Sequence, residues 1–268
     1  ESPVGAPHER VEVRVDADGT VELGVGTQST GQGHETSFAQ VMADRLGVTP
    51  EAIRFVGGDT ARIASGGGTH SDRSMRLAGA LMVEASDKVV AQAKRVAAAL
   101  LDTPADSIEF GDGLLSAPGR NRRLSIADVA RAIAEDSTLA DELRSPLAAT
   151  ATFTGRIPAY PTGAAVCEVE IDPATGAVDI RRYVSLDDAG QAINPMIVEG
   201  QVHGGIAQGV GQALTEEIAY APDSGQVLSG SFMDYGIPRA ASLPCFEVDL
   251  TEDPTYGSAL RVKGGGES

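Results

Sequence analysis

Cysteine is nearly absent: Cys167 and Cys245 are the only thiols in 268 residues. Two lone thiols far apart exclude a disulfide framework and a cysteine-built zinc site. Both are expected to be small buried hydrophobes. Their scarcity fits a reducing compartment, so a cytoplasmic location is expected. Long apolar runs are missing too, and nothing reaches the roughly 18 residues that a membrane-spanning helix needs. The opening "ESPVGAPHER" has neither a basic nor an apolar segment, so no signal peptide is expected there. A chain that opens on Glu1 rather than Met is expected to be a fragment or a processed product. Positive charge is the third shortage. With 21 Lys and Arg against 38 Asp and Glu, the net charge is −17. That balance argues against DNA, RNA or an anionic membrane surface as a partner, because each needs a basic footprint. What is present, 42% apolar and 22% charged residues, is the composition of an ordinary soluble globular chain.

"VEVRVDADGTVELGV" alternates apolar and polar residues around Asp18-Gly19, which predicts a β-hairpin. "CEVEIDPATGAVDIRRYVSL" repeats the pattern around Thr175-Gly176. Each hairpin is followed by a Gly-Gln-x-His string opening a helix: "GQGHETSFAQ" from Gly31 and "GQVHGGIAQG" from Gly200. The reading is of two related halves, 1–150 and 151–268, divided where "RSPLAAT" and "RIPAYPTG" supply breakers. Between them, the Ala-, Leu- and Val-rich stretch from His70 to Asp102 has helical spacing. "GDGLLSAPGRNRRLS" reads as a further hairpin, and Ser125 as the N-cap of a short helix with Asp128 completing the box. "FEVDLTED" alternates as a strand. Hairpins mixed with helices, without regular βαβ alternation, predict an α+β fold in which each half is a mixed sheet with packed helices.

Four stretches carry candidate chemistry. In "GTQSTGQGHETSFAQ", Gly31 and Gly33 permit a tight turn into a helix start, and the amides at such a start attract anions. Gln32 suits a heterocycle edge, and His34 and Thr36 are phosphate donors. In "GGGTHSDRS", three glycines lead to Thr69, Ser71, Arg73 and Ser74 at a second helix start, with Arg the bidentate phosphate partner. In "NPMIVEGQVHGGIAQGVGQAL", glycines weaken the helix interior, by about 1 kcal/mol each relative to Ala. The gain is close approach to another helix or to a flat ligand, with Gln201 and Gln208 on one face. In "KGGGES", Glu267 follows three glycines, a carboxylate on permissive backbone that a buried site would tune as a general base.

In their order, "GQGHETSFAQ", "GDT…GGGT…RS", "INPMIVEGQVHGGIAQGVGQAL", "GSFMDYGIP" and "VKGGGE" resemble the molybdenum-binding large subunit of the xanthine dehydrogenase/aldehyde oxidase family, closest to aerobic carbon-monoxide-dehydrogenase-type large subunits. The resemblance covers the second molybdenum cofactor-binding domain. It implies oxidation of an aldehyde, an N-heterocycle or carbon monoxide, with water as oxygen donor. It implies molybdopterin with Mo, in the cytosine dinucleotide form, and partner subunits carrying [2Fe-2S] and FAD, besides the N-terminal part of the molybdenum subunit. Glu267 stands at the family's base, Gln32, Gly33 and His34 at its pterin and nucleotide contacts, Thr69, Ser71, Arg73 and Ser74 along the same wall, and Gln201 near the metal or pterin. No protein side chain is expected to ligate the metal. The chain differs from the family pattern at Asp72, where a serine is usual, and at Gly265, where Val or Ile is common. Two other readings remain open: a non-catalytic module for an anionic small molecule, and a natural short subunit that completes a split molybdenum site.

Overall fold

The computed structural model describes residues 8–155 and 157–265. Glu267 lies outside the described residues. The chain forms two compact units: the first runs to Ala159 and takes in Thr255–Val262, while the second holds Tyr160–Pro254 and resumes at Lys263.

The first unit begins with the hairpin β1 (His8–Val15) and β2 (Val21–Val25), in register from Val11↔Val25 to Val15↔Val21. Helix α1 (His34–Leu46) carries the chain to β3 (Ile53–Val56), which runs parallel to β2, a geometry that requires a crossover. A π-helical turn at Ser74–Ala78 leads into α2 (Gly79–Leu101). The small sheet β4 (Glu109–Gly111), β5 (Leu114–Ser116) and β6 (Leu124–Ser125) follows, then α3 (Ile126–Glu135) and β7 (Ala148–Thr154). The main sheet has the order β3-β2-β1-β7. Helix α2 packs on β1 and β7 and against α1. Because β1 alternates, Val11, Val13 and Val15 face inward, where α2 packs on the strand, and Phe38 and Met42 of α1 are fully buried in the same unit. At α3 the Ser125–Asp128 capping box forms as the sequence predicts.

The second unit repeats the scheme. Strands β8 (Thr162–Ile171) and β9 (Val178–Asp188) form the hairpin, α4 (Pro195–Leu214) crosses over, and β10 (Phe246–Thr251) lies parallel to β9, in the order β10-β9-β8. So each unit is a hairpin whose second strand gains a parallel neighbour after a helix. The architecture is α+β, as the sequence indicates.

One expectation fails here. Cys167 and Cys245 are both exposed, not buried. Cys167 sits on β8, an edge strand exposed at every position, so alternation gives it no core to enter. No helix among the described residues is long and apolar enough to cross a membrane.

Candidate functional site

The first unit brings together two of the stretches singled out from the sequence. Gly26, at the end of β2, and Gly66 touch through their backbones. A Cβ on Gly66 would lie 2.1 Å from the Gly26 Cα, so neither position admits a side chain. The Gly68 N–H donates to the Gly26 carbonyl at 3.1 Å. The Thr69 hydroxyl donates to the Gln28 carbonyl, and a buried cluster joins Thr69, Thr27 and Ser74, with Thr27 Oγ1 and Ser74 Oγ 2.7 Å apart. The loops 26–33 and 66–74 are thereby one structure, although some forty residues separate them.

At its mouth stands the start of α1. Gly33 takes the left-handed conformation (φ 69°), and no side chain caps the helix. The amides of Gly31, Gln32, Gly33, His34 and Glu35 have no hydrogen-bond acceptor among the described residues. Such a run of outward amides, at the positive end of a helix, binds anions. Gln32 accepts from the Thr30 amide through Oε1 at 2.6 Å, so its NH2 group remains available to donate. Gly31 and Gly68, both at positive φ, have nothing within 4 Å of where a Cβ would stand.

Other predicted contacts are already engaged within the protein. Arg73, expected to meet phosphate, is fully buried and donates to Glu9 at 2.7 Å, to the Gly68 carbonyl at 2.6 Å and to the His8 carbonyl at 2.6 Å. Its guanidinium lies against Gly67, where a Cβ would sit 2.4 Å away. Arg73 is therefore a buttress beneath the glycine loop. Its Nε is buried and has no hydrogen-bond partner among the described residues. His34, expected to donate to phosphate, is buried, stacks on Phe38 and places Nδ1 3.1 Å from the Gln28 carbonyl. Since a carbonyl only accepts, Nδ1 carries the proton and Nε2 is an acceptor in the neutral ring. Burial lowers the His34 pKa and outweighs the carbonyl's opposing pull, which holds it in that neutral form. Ser71 is half-buried, and its hydroxyl meets the His70 ring at 3.1 Å.

Sequence reasoning missed several members. Glu9 continues the inward phase of Val11, Val13 and Val15, so an acid in the apolar register of a strand was the available signal. Arg76 is buried and donates to the carbonyls of Ser71, Asp72 and Ile157. It holds Ser71 and Asp72 at φ 50° and 52°, a conformation non-glycine residues rarely adopt. Nothing in the sequence pattern marked it.

In the second unit, Asn194 caps α4 by accepting the Ile197 amide at 3.1 Å, and Pro195 occupies the first turn. Gly211 is tight against Glu216 and Pro238, but Gly200, Gly204 and Gly209 have nothing within 4 Å of a Cβ position. Packing among the described residues explains Gly211 and not the other three. The open ones bare the backbone of the helix that carries the half-buried Gln201. At the far end of the helix Tyr235 donates to Glu216 at 2.6 Å, and this contact raises the tyrosine pKa. Asp188 accepts from Lys263 Nζ and from the Gly190 amide. Burial acts to raise its pKa, yet these donors hold it below the usual carboxylate range.

Among the described residues, no group of three or more His, Cys, Asp and Glu side chains gathers to hold a metal. The unengaged amides at the start of α1 suit an anionic group. This is a cofactor-binding domain of the α+β class. Comparison with known proteins names its family: the profile of the molybdopterin cofactor-binding domain matches residues 2–244, and the chain belongs to that family. It is 38% identical over 263 residues to the nicotine 6-hydroxylase large subunit of Paenarthrobacter nicotinovorans, covering 97% of this chain and 32% of that protein. The crystal structure of the Cu,Mo-CO dehydrogenase superposes with a TM-score of 0.86 at 35% identity, over 97% of this chain and 32% of that one. Quinoline 2-oxidoreductase from Pseudomonas putida 86 does so with a TM-score of 0.85 at 34% identity, over 97% of this chain and 33% of that one. The chain thus spans about a third of the length of the relatives it matches.

Proposed function

We propose that this chain is the part of a molybdenum hydroxylase large subunit that grips molybdopterin, in its cytosine dinucleotide form, and supplies the proton acceptor. When bound, that group supplies a molybdenum centre that takes an electron pair from the substrate carbon as an oxygen from water is added. The observation that carries the reading is the run of unengaged amides from Gly31 to Glu35, backed by the Gly68–Thr69 loop.

In this reading those amides and the Gln32 NH2 donate to phosphate and pterin oxygens. Gly33 supplies the left-handed turn that aims them. His34, Thr69 and Ser74 hold the two loops in register from behind, Arg73 buttresses the glycine strand, and Ser71 offers its hydroxyl at the edge. Gln201 donates from the bare face of α4, where Gly200 and Gly204 leave room for a flat group. Glu267 accepts the proton released as the carbon is oxidised. Electrons leave to [2Fe-2S] and FAD subunits, and the rest of the large subunit selects among aldehyde, N-heterocycle and carbon monoxide substrates. A cytoplasmic setting suits such a complex.

The test uses the full-length protein with its partner subunits. Stoichiometric molybdenum, and cytidine monophosphate released on acid hydrolysis, are expected. Glu267→Gln should keep both and lose turnover, because it preserves shape and removes the base. A folded complex without molybdenum would overturn the proposal.

A further inference from the structure

We infer that β8 is the unfinished edge of its sheet, and that an antiparallel strand from the remainder of the same large subunit, outside these 268 residues, docks along residues 164–170. The inference rests on the reading of this chain as part of a longer large subunit, since it spans about a third of the length of its relatives. The two hairpins set the comparison. The Asp16 amide donates to the Thr20 carbonyl at 2.8 Å as the first hairpin turns, and the Asp172 amide donates to the Ala177 carbonyl at 2.9 Å in the second. That match aligns Val11, Val13 and Val15 of β1 with Cys167, Val169 and Ile171 of β8, and Glu12 with Glu168.

The two strands share this apolar phase, but its surroundings differ. Val11, Val13 and Val15 are buried, whereas Val169 and Ile171 stand 47% and 59% exposed and Cys167 is exposed as well. The first unit covers the phase twice: β7 pairs antiparallel along β1, with Ala151 opposite Val11 and Ala149 opposite Val13, and α2 packs on both strands. In the second unit, among the described residues, no strand pairs with the far side of β8, and α4 is the sole α-helix. The place that β7 fills beside β1 is open beside β8. An open edge presents a row of unpaired amides and carbonyls, and proteins blunt such edges with Lys, Pro or short strands. β8 is ten residues long and contains neither Lys nor Pro. An added strand takes its affinity from that row and its register from the side-chain phase. Carried over from β7, the register puts small apolar residues opposite Cys167 and Val169, and an uncharged or basic one opposite Glu168. A second copy of this chain is a poor occupant. It would bring its own Glu168 and Glu170 to the seam, and two chains of net charge −17 repel.

The experiment uses the full complex. Hydrogen exchange resolved to single amides should be slowed at least about a hundredfold, relative to the unfolded chain, at every residue from 164 to 170. Fast exchange at alternate amides marks an open edge and overturns the inference. Val166→p-benzoylphenylalanine, irradiated in the complex, should cross-link within one large subunit to a segment outside these 268 residues. A cross-link to another subunit, or to a second large subunit, overturns it. Val169→Asp places a charge in the covered phase and should speed β8 exchange at least about tenfold; unchanged exchange counts against the docking. The first two measurements do not depend on the folding of that variant. An open β8 in a molybdenum-loaded complex removes the docking and leaves the cofactor reading, and a metal-free complex with β8 covered does the reverse.

Discussion

The two units share a strand order but differ in what holds them. In the first, α2 packs on β1 and β7 and against α1, and Val11, Leu23, Phe38, Met42 and Leu46 lie below 1% exposure. In the second, every residue of β8 is exposed, and its buried apolar side chains reduce to Ile180, Ala189, Val202 and Ile206. Phe232 and Met233 stand 80% and 92% exposed. The first unit therefore carries its stability within its own core and can hold a strained, buried-charge loop assembly rigid. The second is an arrangement of polar clamps around a sparse core. The lesson is that one topology serves as a scaffold in one copy and as a carrier of exposed glycine backbone in the other.

The largest test of that contrast is at Glu9. Glu9→Ala leaves the Arg73 guanidinium buried and uncompensated, so unfolding stability should drop by about 3–5 kcal/mol, read by urea denaturation of the full protein. A loss below about 1 kcal/mol would show that the loop assembly is not braced by this pair. Next is a pair of glycine substitutions with opposite signs. Gly66→Ala drives a Cβ into the Gly26 backbone and should cost about 1–3 kcal/mol. Gly204→Ala meets open space and should raise the stability of α4 by up to about 1 kcal/mol. Thermal unfolding decides both, and destabilisation by Gly204→Ala would mean that the helix face is covered. In the cofactor-loaded complex the bulkier Gly204→Leu should reduce pterin content.

Ser125→Ala should cost about 1 kcal/mol at neutral pH. The Ser125 amide and hydroxyl lower the Asp128 pKa, so this capping contribution is present above the ordinary carboxylate pKa. It is lost as pH falls through the depressed value of the folded state. The gap between Ser125→Ala and wild type, measured by denaturation, should therefore narrow in acid. The smallest effect is at His34. Burial depresses its pKa, so folded protein favours the neutral ring. Stability should be complete above the ordinary histidine value of about 6.5 and decline as pH falls below it toward the folded value. His34→Gln should flatten that slope in pH-dependent unfolding.

Much of this was legible beforehand, for identifiable reasons. Period-two alternation around Asp18-Gly19 and Thr175-Gly176 marked both hairpins, because a half-buried strand must alternate. Ser125 and Asp128 marked a helix start, because the cap is a contact local in sequence. Gly31 and Gly33 marked a turn for the same reason. Arg73 and His34 were read as ligands because their residue types suit phosphate. The structure turns both inward, a choice set by Glu9, some sixty residues away, and by the Gln28 carbonyl. The exposure of Cys167 was likewise invisible, since a strand's alternation does not say whether either face has a partner.

The sequence alone determined both hairpins and the glycine-rich start of α1, since these arise from contacts between residues near one another in the chain; the second Gly-Gln-x-His string, expected to open a helix, instead lies inside α4, which starts at Pro195 behind the Asn194 cap. Tertiary structure alone decided which of those helix-start groups remain available to a ligand. Glu9 neutralises Arg73, Thr27 ties Thr69 to Ser74, and Asp188 anchors Lys263, each across a long stretch of chain. Burial and pairing are properties of which distant segments meet, and no local pattern encodes them.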